Sequence, residues 1–465
     1  MTEEAFERIR AHFWRGFREA EASRHNGGLR LGSELKFPFV SRTGEAVRRE
    51  VVDALWRYLV SAGWTADVEG PDDLIVGART PGERNDTVAS CETGYCKPEF
   101  SLAHVGDLDA LKQGIGSLVK LLRPFLDANG AEMLCYGIQP VSAPGADLLM
   151  KKMRASFWDK AFPSNKVVPP ERGDDAHMFT VNASSHVHVS VPLGDAVKAV
   201  NVLNGLAGGQ IALTADSGPA GDWVQPGYHS IDEKLWDWWE AASGRVGVPE
   251  KPFEDFDDYV RSIAALPPVF VKRDGEPLLL GALHGSLTDY FEATPARAVR
   301  LNGSEVDVEP REEDIDVHNS CYWYTARISR YYTVENRVCD QQPADALTAP
   351  AAMTLGLVSN LDEAWEEVAS HDWASLRRAR RQACDHGLTA VDGSDMPAVL
   401  AARLLDLAER GLKNRAEGEE TYLQPLRERL TAGRTPADEA RGDCGRLGME
   451  GFVEARRLTC EDVGV

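Results

Sequence analysis

Apolar positions recur every third or fourth residue over three stretches of the N-terminal quarter, 2–23, 44–63 and 106–128, and this spacing predicts amphipathic helices. Between and after them the pattern switches to short alternating or β-branched runs at 31–40, 72–78, 87–92, 132–140, 177–193 and 267–274, with further candidates near 297–308 and 320–339. Strands and helices are thus mixed without a regular βαβ rhythm, which predicts an α+β protein with a largely antiparallel sheet. From Ala351 onward Ala, Leu, Arg and Glu dominate, and the pattern is helical almost throughout. The stretch QQPADALTAP has the prolines and polar residues of a connection. It predicts a division into an α+β unit, 1–345, and a helical region packed on it, 346–465.

The chain has 465 residues, 43% of them apolar, enough for a large core. Lys+Arg total 51 against Asp+Glu 73, a net charge of −22 that repels a phosphate backbone, and no strongly basic stretch offsets it. Nucleic acid is therefore not an expected partner. A small polyanion can still bind where metal ions or convergent arginines meet its charge. The start, MTEEAFERIRAHFWRGFREAE, is charged and amphipathic, and nowhere do about twenty apolar residues run together, so the expectation is a cytoplasmic protein with no membrane segment. Eight cysteines are spread along the chain without a CxxC pair, and reduced thiols are expected, with Cys91 and Cys96 the nearest candidates for a redox bridge. There is no GxxxxGK[ST] loop, no GxGxxG in a βαβ context and no GxSxG elbow.

Strand interiors disfavour Asp and Glu, so carboxylates embedded in apolar alternating runs are candidates for chemistry. Four stand out: Glu34 in GSELKF, Glu92 and Glu99 in SCETGYCKPEF, and Glu335 in VENRVCD. As a set they suit magnesium, which takes hard oxygen ligands and leaves room for phosphate oxygens. Singly, each also fits an outward-facing strand position. In ASSHVHVSV, His186 and His188 lie two apart and share a strand face. Without a third ligand motif, a magnesium-assisting or phosphate-contacting role suits them better than zinc; a hydrogen-bonded pair on a sheet is the alternative. RISRYYTVENR places Arg327, Arg330 and Arg337 around Glu335. Glu335 and Arg337 share a face at the two-residue period, so one can hold a metal while the other reaches the same phosphoryl group, or the set can be a salt-bridge ladder. Trp223, Tyr322, Trp323 and Tyr324 could line an apolar pocket or serve as core.

In this order the motifs resemble the glutamate–cysteine ligase family, in particular its plant and proteobacterial branch and the ergothioneine-pathway ligases of actinobacteria. GSELKF is similar to the family's G-x-E-x-E strand, SCETGYCKPEFS to E-P-G-G-Q-x-E-x-S, and ASSHVHVSV to the strand with a Gln or His beside the metals. FDDYVRSIAALPPVFVKRD and DVHNSCYWYTARISRYYTVENRVCD resemble F-x-x-Y…D-V-P-x-x-F-V-x-R and H-L-S-T-x-F-P-x-V-R-x-[KR]-x-Y-x-E-x-R-x-x-D. DHGLTA, LLDLAERGLKNRAEGEETYLQPL and LTAGRTPADEA extend the likeness through the helical region, from about 30 to 440 in all.

The resemblance implies a curved six-stranded, mainly antiparallel sheet forming a funnel, with helices outside, in the manner of glutamine synthetase and guanido kinases. By matching position it implies metal ligation by Glu34, Glu92, Glu99, Glu335 and His186, with Arg337, Arg330 and His188 toward the nucleotide and transferred phosphoryl group. The implied activity needs ATP and two or three Mg2+ ions. It joins L-glutamate to the amino group of a small amino acid, cysteine or an analogue such as propargylglycine, through a γ-glutamyl phosphate, in a monomer or homodimer. Two positions depart from the pattern. Lys36 stands where the family has a second glutamate and brings a cation into the catalytic set. Asp232, in HSIDEKLW, stands where arginine is expected and alters the substrate pocket, to which Trp223 and Tyr322 are also assigned. These departures leave room for a degenerate nucleotide or amino-acid binder, or for amidation with ammonia.

Overall fold

The first helical pattern folds as Glu3–Ala22, with Phe6, Ile9, Phe13 and Phe17 buried along one stripe. Those of 44–63 and 106–128 fold as Arg49–Ser61 and Leu108–Asn129. The structure is a computed structural model and describes residues 3–22, 28–70, 72–82, 85–218, 227–391 and 393–464. Among the described residues no helix is long and apolar enough to cross a membrane.

One sheet organises the molecule. Its strands are β1 (Leu31–Lys36), β2 (Thr65–Glu69), β3 (Leu74–Arg79), β4 (Val88–Ser90), β5 (Glu99–Ser101), β6 (Ser184–Val189), β7 (Ala326–Ile328) and β8 (Val334–Asp340). They lie in the order β7-β8-β6-β1-β5-β4-β3-β2, and every neighbouring pair is antiparallel. The sheet has eight strands, not the six expected. An added edge strand, β2, carries the sequence TADVE; it alternates, but it is short, half-exposed and offers only Ala66 and Val68 as apolar positions, so its pattern is weak. Two expected strand runs are mostly something else. Of 132–140 only Glu132–Met133 is strand; the rest is buried loop, with Gln139 Nε2 donating to the Cys96 carbonyl at 2.8 Å. The run 177–193 begins as a 3-10 turn, Asp175–Thr180, capped by Asp174, before β6 starts.

β6 is buried along its whole length: one face lies against helices, and the other, with His186 and His188, faces an enclosed cavity. Behind β6, β7 and β8 pack the helices Leu193–Gly205, Ala207–Thr214 and Ala349–Ser359. Asn336 marks that side: its Nδ2 donates to Gln210 Oε1 at 2.7 Å and to Thr354 Oγ1 at 2.8 Å. The helix Ala349–Ser359 is apolar all round and crosses Met396–Arg415 at closest backbone approach. A Cβ added to Gly411 would overlap the Gly356 carbonyl, and one added to Gly356 would overlap that of Ala408. The other face of the sheet, the side of Glu335 and Arg337, is open to a cavity.

Cys91 and Cys96 are both free and buried. Their thiols donate to different carbonyls, Tyr95 at 3.3 Å and Thr180 at 3.6 Å, so no bridge joins them. Burial pushes the Cys96 thiol up to about 12.

Candidate active site

Antiparallel register brings the charged residues of five strands into one row. Glu34 on β1 is the cross-strand partner of His186 on β6, and Lys36 that of Glu99 on β5. Farther along, Glu335 on β8 is opposite both His188 and Arg327 of β7. Side chains two apart on a strand share a face, so Glu34 and Lys36, His186 and His188, and Glu335 and Arg337 all point into the cavity. Glu92 joins them from the loop after β4. That loop is held close by Gly94, where any Cβ would collide with the Thr180 carbonyl. The cavity has a volume of about 390 Å3.

Lys36 is the centre of the row, 2% exposed. Its Nζ lies 3.2 Å from Glu99 Oε2, 3.9 Å from Glu34 Oε2, 3.9 Å from Glu92 Oε2 and 3.1 Å from His186 Nδ1. Burial works against its charge, but the three carboxylates raise its pKa above the ordinary lysine value. Glu92, whose side chain is 55% exposed, is brought down to about 2, Lys36 and Lys97 outweighing the desolvation it meets on the cavity side. For Glu99 burial wins, and the carboxyl is pushed up to about 7 against the pull of Lys36. At the other end Arg327 Nε donates to Glu335 Oε2 at 2.8 Å, and Arg337 Nη1 donates to Glu335 Oε1. The two guanidiniums hold Glu335 well below the usual carboxylate range despite its burial. Glu34, Glu92, Glu99 and Glu335 thus face Lys36, Lys97, Arg327 and Arg337, a balanced set inside an acidic protein.

The two histidines differ. His186 Nδ1 is 3.0 Å from Glu34 Oε2, and its Nε2 is 2.9 Å from Ser184 Oγ. Burial, then Lys36 and Arg337, bring it down to about 3, so it is a neutral ring. His188 Nε2 lies 3.2 Å from Glu34 Oε1 and its Nδ1 2.9 Å from Thr333 Oγ1. Burial opposes its charge too, but the hydrogen bond and charge of Glu34, with Glu335, lift its pKa. Glu34, His188 and Glu335 present one ligand atom each within 4.8 Å of one another, the arrangement among the described residues that can hold an ion. The sequence pointed to His186 for that task and to His188 for the nucleotide. Both rings line the same cavity: His188 joins Glu34 and Glu335, while His186 Nδ1, engaged by Glu34 and Lys36, also lies 3.8 Å from Glu335 Oε1. Glu92 and Glu99 stand on the far side of Lys36, apart from the triad.

The mouth of the cavity is basic. Lys152, Arg154, Lys272 and Arg330 line it, with Arg330 and Lys272 exposed at the rim. Burial lowers the pKa values of Lys272 and Arg154, with repulsion from Arg154 and Arg330 added at Lys272 and from Arg330 and Arg327 at Arg154. The closed end is different in kind: Asp232 and Trp239 are each 2% exposed, and with Asn182, Phe179, Trp236 and Trp323 they form its wall.

Of the residues expected at the substrate pocket, Asp232 lines this closed end. Tyr322 does not: it is fully buried, its hydroxyl 2.5 Å from that of Tyr259 and donating to Asn319 Oδ1 at 2.7 Å. Its neighbour Trp323 takes the cavity side, since consecutive residues of an extended segment face opposite ways. Trp223 lies outside the described residues. Sequence reasoning missed Lys97, Asn182, Trp236 and Trp239. The spacing of Asp232, Trp236 and Trp239 in IDEKLWDWW, one helical face, is the signal that could have found part of this wall.

The family model described as Glutamate-cysteine ligase family 2 (GCS2) matches residues 52–451. Among solved structures, the chain is similar to a glutamate–cysteine ligase of Francisella tularensis in complex with AMP, with a TM-score of 0.53 at 12% identity over 94% of this chain and 89% of that one. It also matches a bifunctional glutathione synthetase of Pasteurella multocida with a TM-score of 0.46 at 9% identity, over 100% of this chain and 54% of that one. No curated protein matches it. The first of these likenesses shows a shared α+β fold.

Proposed function

Because the chain belongs to glutamate–cysteine ligase family 2 and is an ATP-dependent carboxylate–amine ligase, we propose that it activates the γ-carboxylate of L-glutamate with ATP and Mg2+ and joins it to the amino group of a second amino acid. The observation that supports this most is the meeting of Glu34, Glu92, Glu99 and Glu335 with Lys36, Arg327 and Arg337 in one cavity behind a basic mouth. ATP and a carboxylate repel each other, and since the row balances its own charges, the counter-charge for both would come from the basic mouth and from a divalent ion held by the carboxylates.

Glu34, His188 and Glu335 form a hard donor set with one imidazole, which fits Mg2+ or Mn2+, and these residues would hold the ion. A divalent ion bound there supplies charge neutralisation for phosphoryl transfer. The rest of the work falls to the chain's own groups. Lys152, Arg154, Lys272 and Arg330 receive the polyphosphate at the mouth. Arg337 and Arg327, already oriented by Glu335, stabilise the charge that develops as the glutamate carboxylate takes the phosphoryl group. Lys36 keeps Glu34, Glu92 and Glu99 in fixed positions by its central charge. The acceptor amine then attacks the acyl carbon, and phosphate leaves.

The test is incubation with ATP, Mg2+ and glutamate, adding cysteine, other small amino acids or ammonia in turn, while ADP and product mass are followed. ADP together with a γ-glutamyl dipeptide supports the reading. Turnover only with ammonia, giving glutamine, replaces it with amidation, and no ADP with any amine overturns it.

A further inference from the structure

Three buried polar side chains at the closed end of the cavity have no part in the chemistry described so far. Lys97, Asn182 and Asp232 are 3%, 6% and 2% exposed, and all three line the cavity. Lys97 Nζ donates to Asn182 Oδ1 at 2.6 Å, and Asn182 Nδ2 donates in turn to Asp232 Oδ1. Among the described residues that amide is the one hydrogen-bond partner of each charged group, and no ion pair joins Lys97 to Asp232. An ammonium has three donors and a carboxylate about four lone-pair sites, so most of their capacity faces the cavity unused. Two buried opposite charges held apart by an amide are costly unless a ligand completes them. A zwitterion has the matching pair of charges.

The wall beside them is aromatic. Asp232, Trp236 and Trp239 follow one face of the helix Ile231–Trp238 and its end. Trp236 stacks on Trp323 with centroids 5.6 Å apart at 23°, and Phe179 lies 4.2 Å from Trp236. A flat or apolar group gains by burial against such a wall, whereas a short polar side chain does not.

We infer that this closed end is the acceptor subsite, that it takes an α-amino acid with an apolar or aromatic side chain, and that Asp232 receives the acceptor's ammonium group and removes its proton. The inference rests on the ligase reading and names the second substrate's class. Lys97 binds the acceptor carboxylate. Asp232 takes one proton from the ammonium, the freed nitrogen lone pair forms the C–N bond to the acyl phosphate carbon, and the C–O bond to phosphate breaks. The second nitrogen proton leaves with the phosphate as HPO4 2−, and Asp232 returns its proton to solvent. Burial raises the Asp232 pKa, which strengthens it as a base. The adenine ring is the other flat group that aromatic walls hold, and Trp158 links this wall to Arg154; what favours the amino acid is the buried pair of opposite charges, Lys97 and Asp232, beside the wall.

The experiment compares two acceptors in full-length wild type and Asp232→Asn, with ATP, Mg2+ and glutamate. Hydroxylamine is largely uncharged at neutral pH and needs no proton removed before it attacks, whereas an amino acid does. The ratio of amino-acid coupling to hydroxamate formation is expected to fall about 10²–10⁴-fold in Asp232→Asn, the range for losing a general base. Trp236→Ala is expected to raise the KM of phenylalanine or leucine at least tenfold relative to that of glycine, with the KM of ATP unchanged. An unchanged ratio in Asp232→Asn overturns the inference, as does a KM effect in Trp236→Ala confined to ATP. If Asp232→Asn does not fold, Asp232→Ser, which likewise lacks a carboxylate base, takes its place with the same two outcomes. Failure of the ligase reading looks different: wild type then forms neither ADP nor hydroxamate from glutamate.

Discussion

Replacing Lys36 by Met keeps the aliphatic stem and removes the charge at the centre of the row, and its cost should depend on pH in a defined direction. The ammonium lies 3.2 Å from Glu99 and 3.9 Å from both Glu34 and Glu92, 2% exposed. Removing one partner of a buried charge pair costs about 3–5 kcal/mol when the other charge is left in place. The carboxylates can escape part of that cost by taking up a proton, and Glu99 is the one poised to do so, at about 7 in the folded protein. Its folded value lies above the unfolded value, so in wild type it favours folding at low pH and weakens it as pH rises from about 4.5 to 7. Without Lys36 its pKa moves higher still. Below about pH 6 Glu99 is protonated in both proteins, and the loss of Lys36 falls only on Glu34 and Glu92. Above about pH 7.5 the variant must either ionise Glu99 uncompensated or hold a proton at a cost of about 1.4 kcal/mol per pH unit. The deficit of the variant should therefore grow by about 1–2 kcal/mol between pH 6 and pH 8.5. Urea unfolding of both proteins at the two pH values, without divalent metal, measures it. A deficit that is flat with pH, or a variant as stable as wild type at pH 8.5, would refute the placement of Lys36 as the counter-charge of Glu99.

Glu335→Gln leaves Arg327 and Arg337 facing a neutral amide and removes one member of the candidate ion triad; Mn2+ affinity should fall at least about 100-fold, beyond the range for an outer partner, with turnover lost and near-UV circular dichroism kept. Lys272→Gln at the mouth should raise the KM for ATP about 10-fold, the worth of one charge-assisted hydrogen bond, with little effect on kcat, in steady-state kinetics. In the native protein a thiol reagent should react readily with no more than Cys444 and Cys460, since Cys91, Cys96, Cys135, Cys321, Cys339 and Cys384 are buried, and all eight should titrate in denaturant.

Much of the candidate site is legible along the chain, because strand periodicity says which residues share a face. Glu34 with Lys36, His186 with His188, and Glu335 with Arg337 can each be paired from a spacing of two. Carboxylates inside apolar runs mark those strands as chemical, and the order of motifs points to the ligase family that the chain matches over 52–451. The long helices are likewise local, since a 3.6-residue period is a property of the segment itself.

Spacing says nothing about which strands become neighbours, or in what register, because those depend on contacts between residues far apart in the chain. Register places Lys36 opposite Glu99, so that the lysine standing where a metal-binding glutamate was expected becomes the hub of three carboxylates. It also sets His188 opposite Glu335, which brings it together with Glu34 and Glu335. Only the packing of the helix Ile231–Trp238 over the end of the sheet turns Asp232, Trp236 and Trp239 into a wall shared with Lys97, Asn182 and Trp323. The chain alone determined the chemistry its strands can offer; the tertiary structure decided which charges meet, because convergence of distant side chains is a property of pairing and packing and of no single segment.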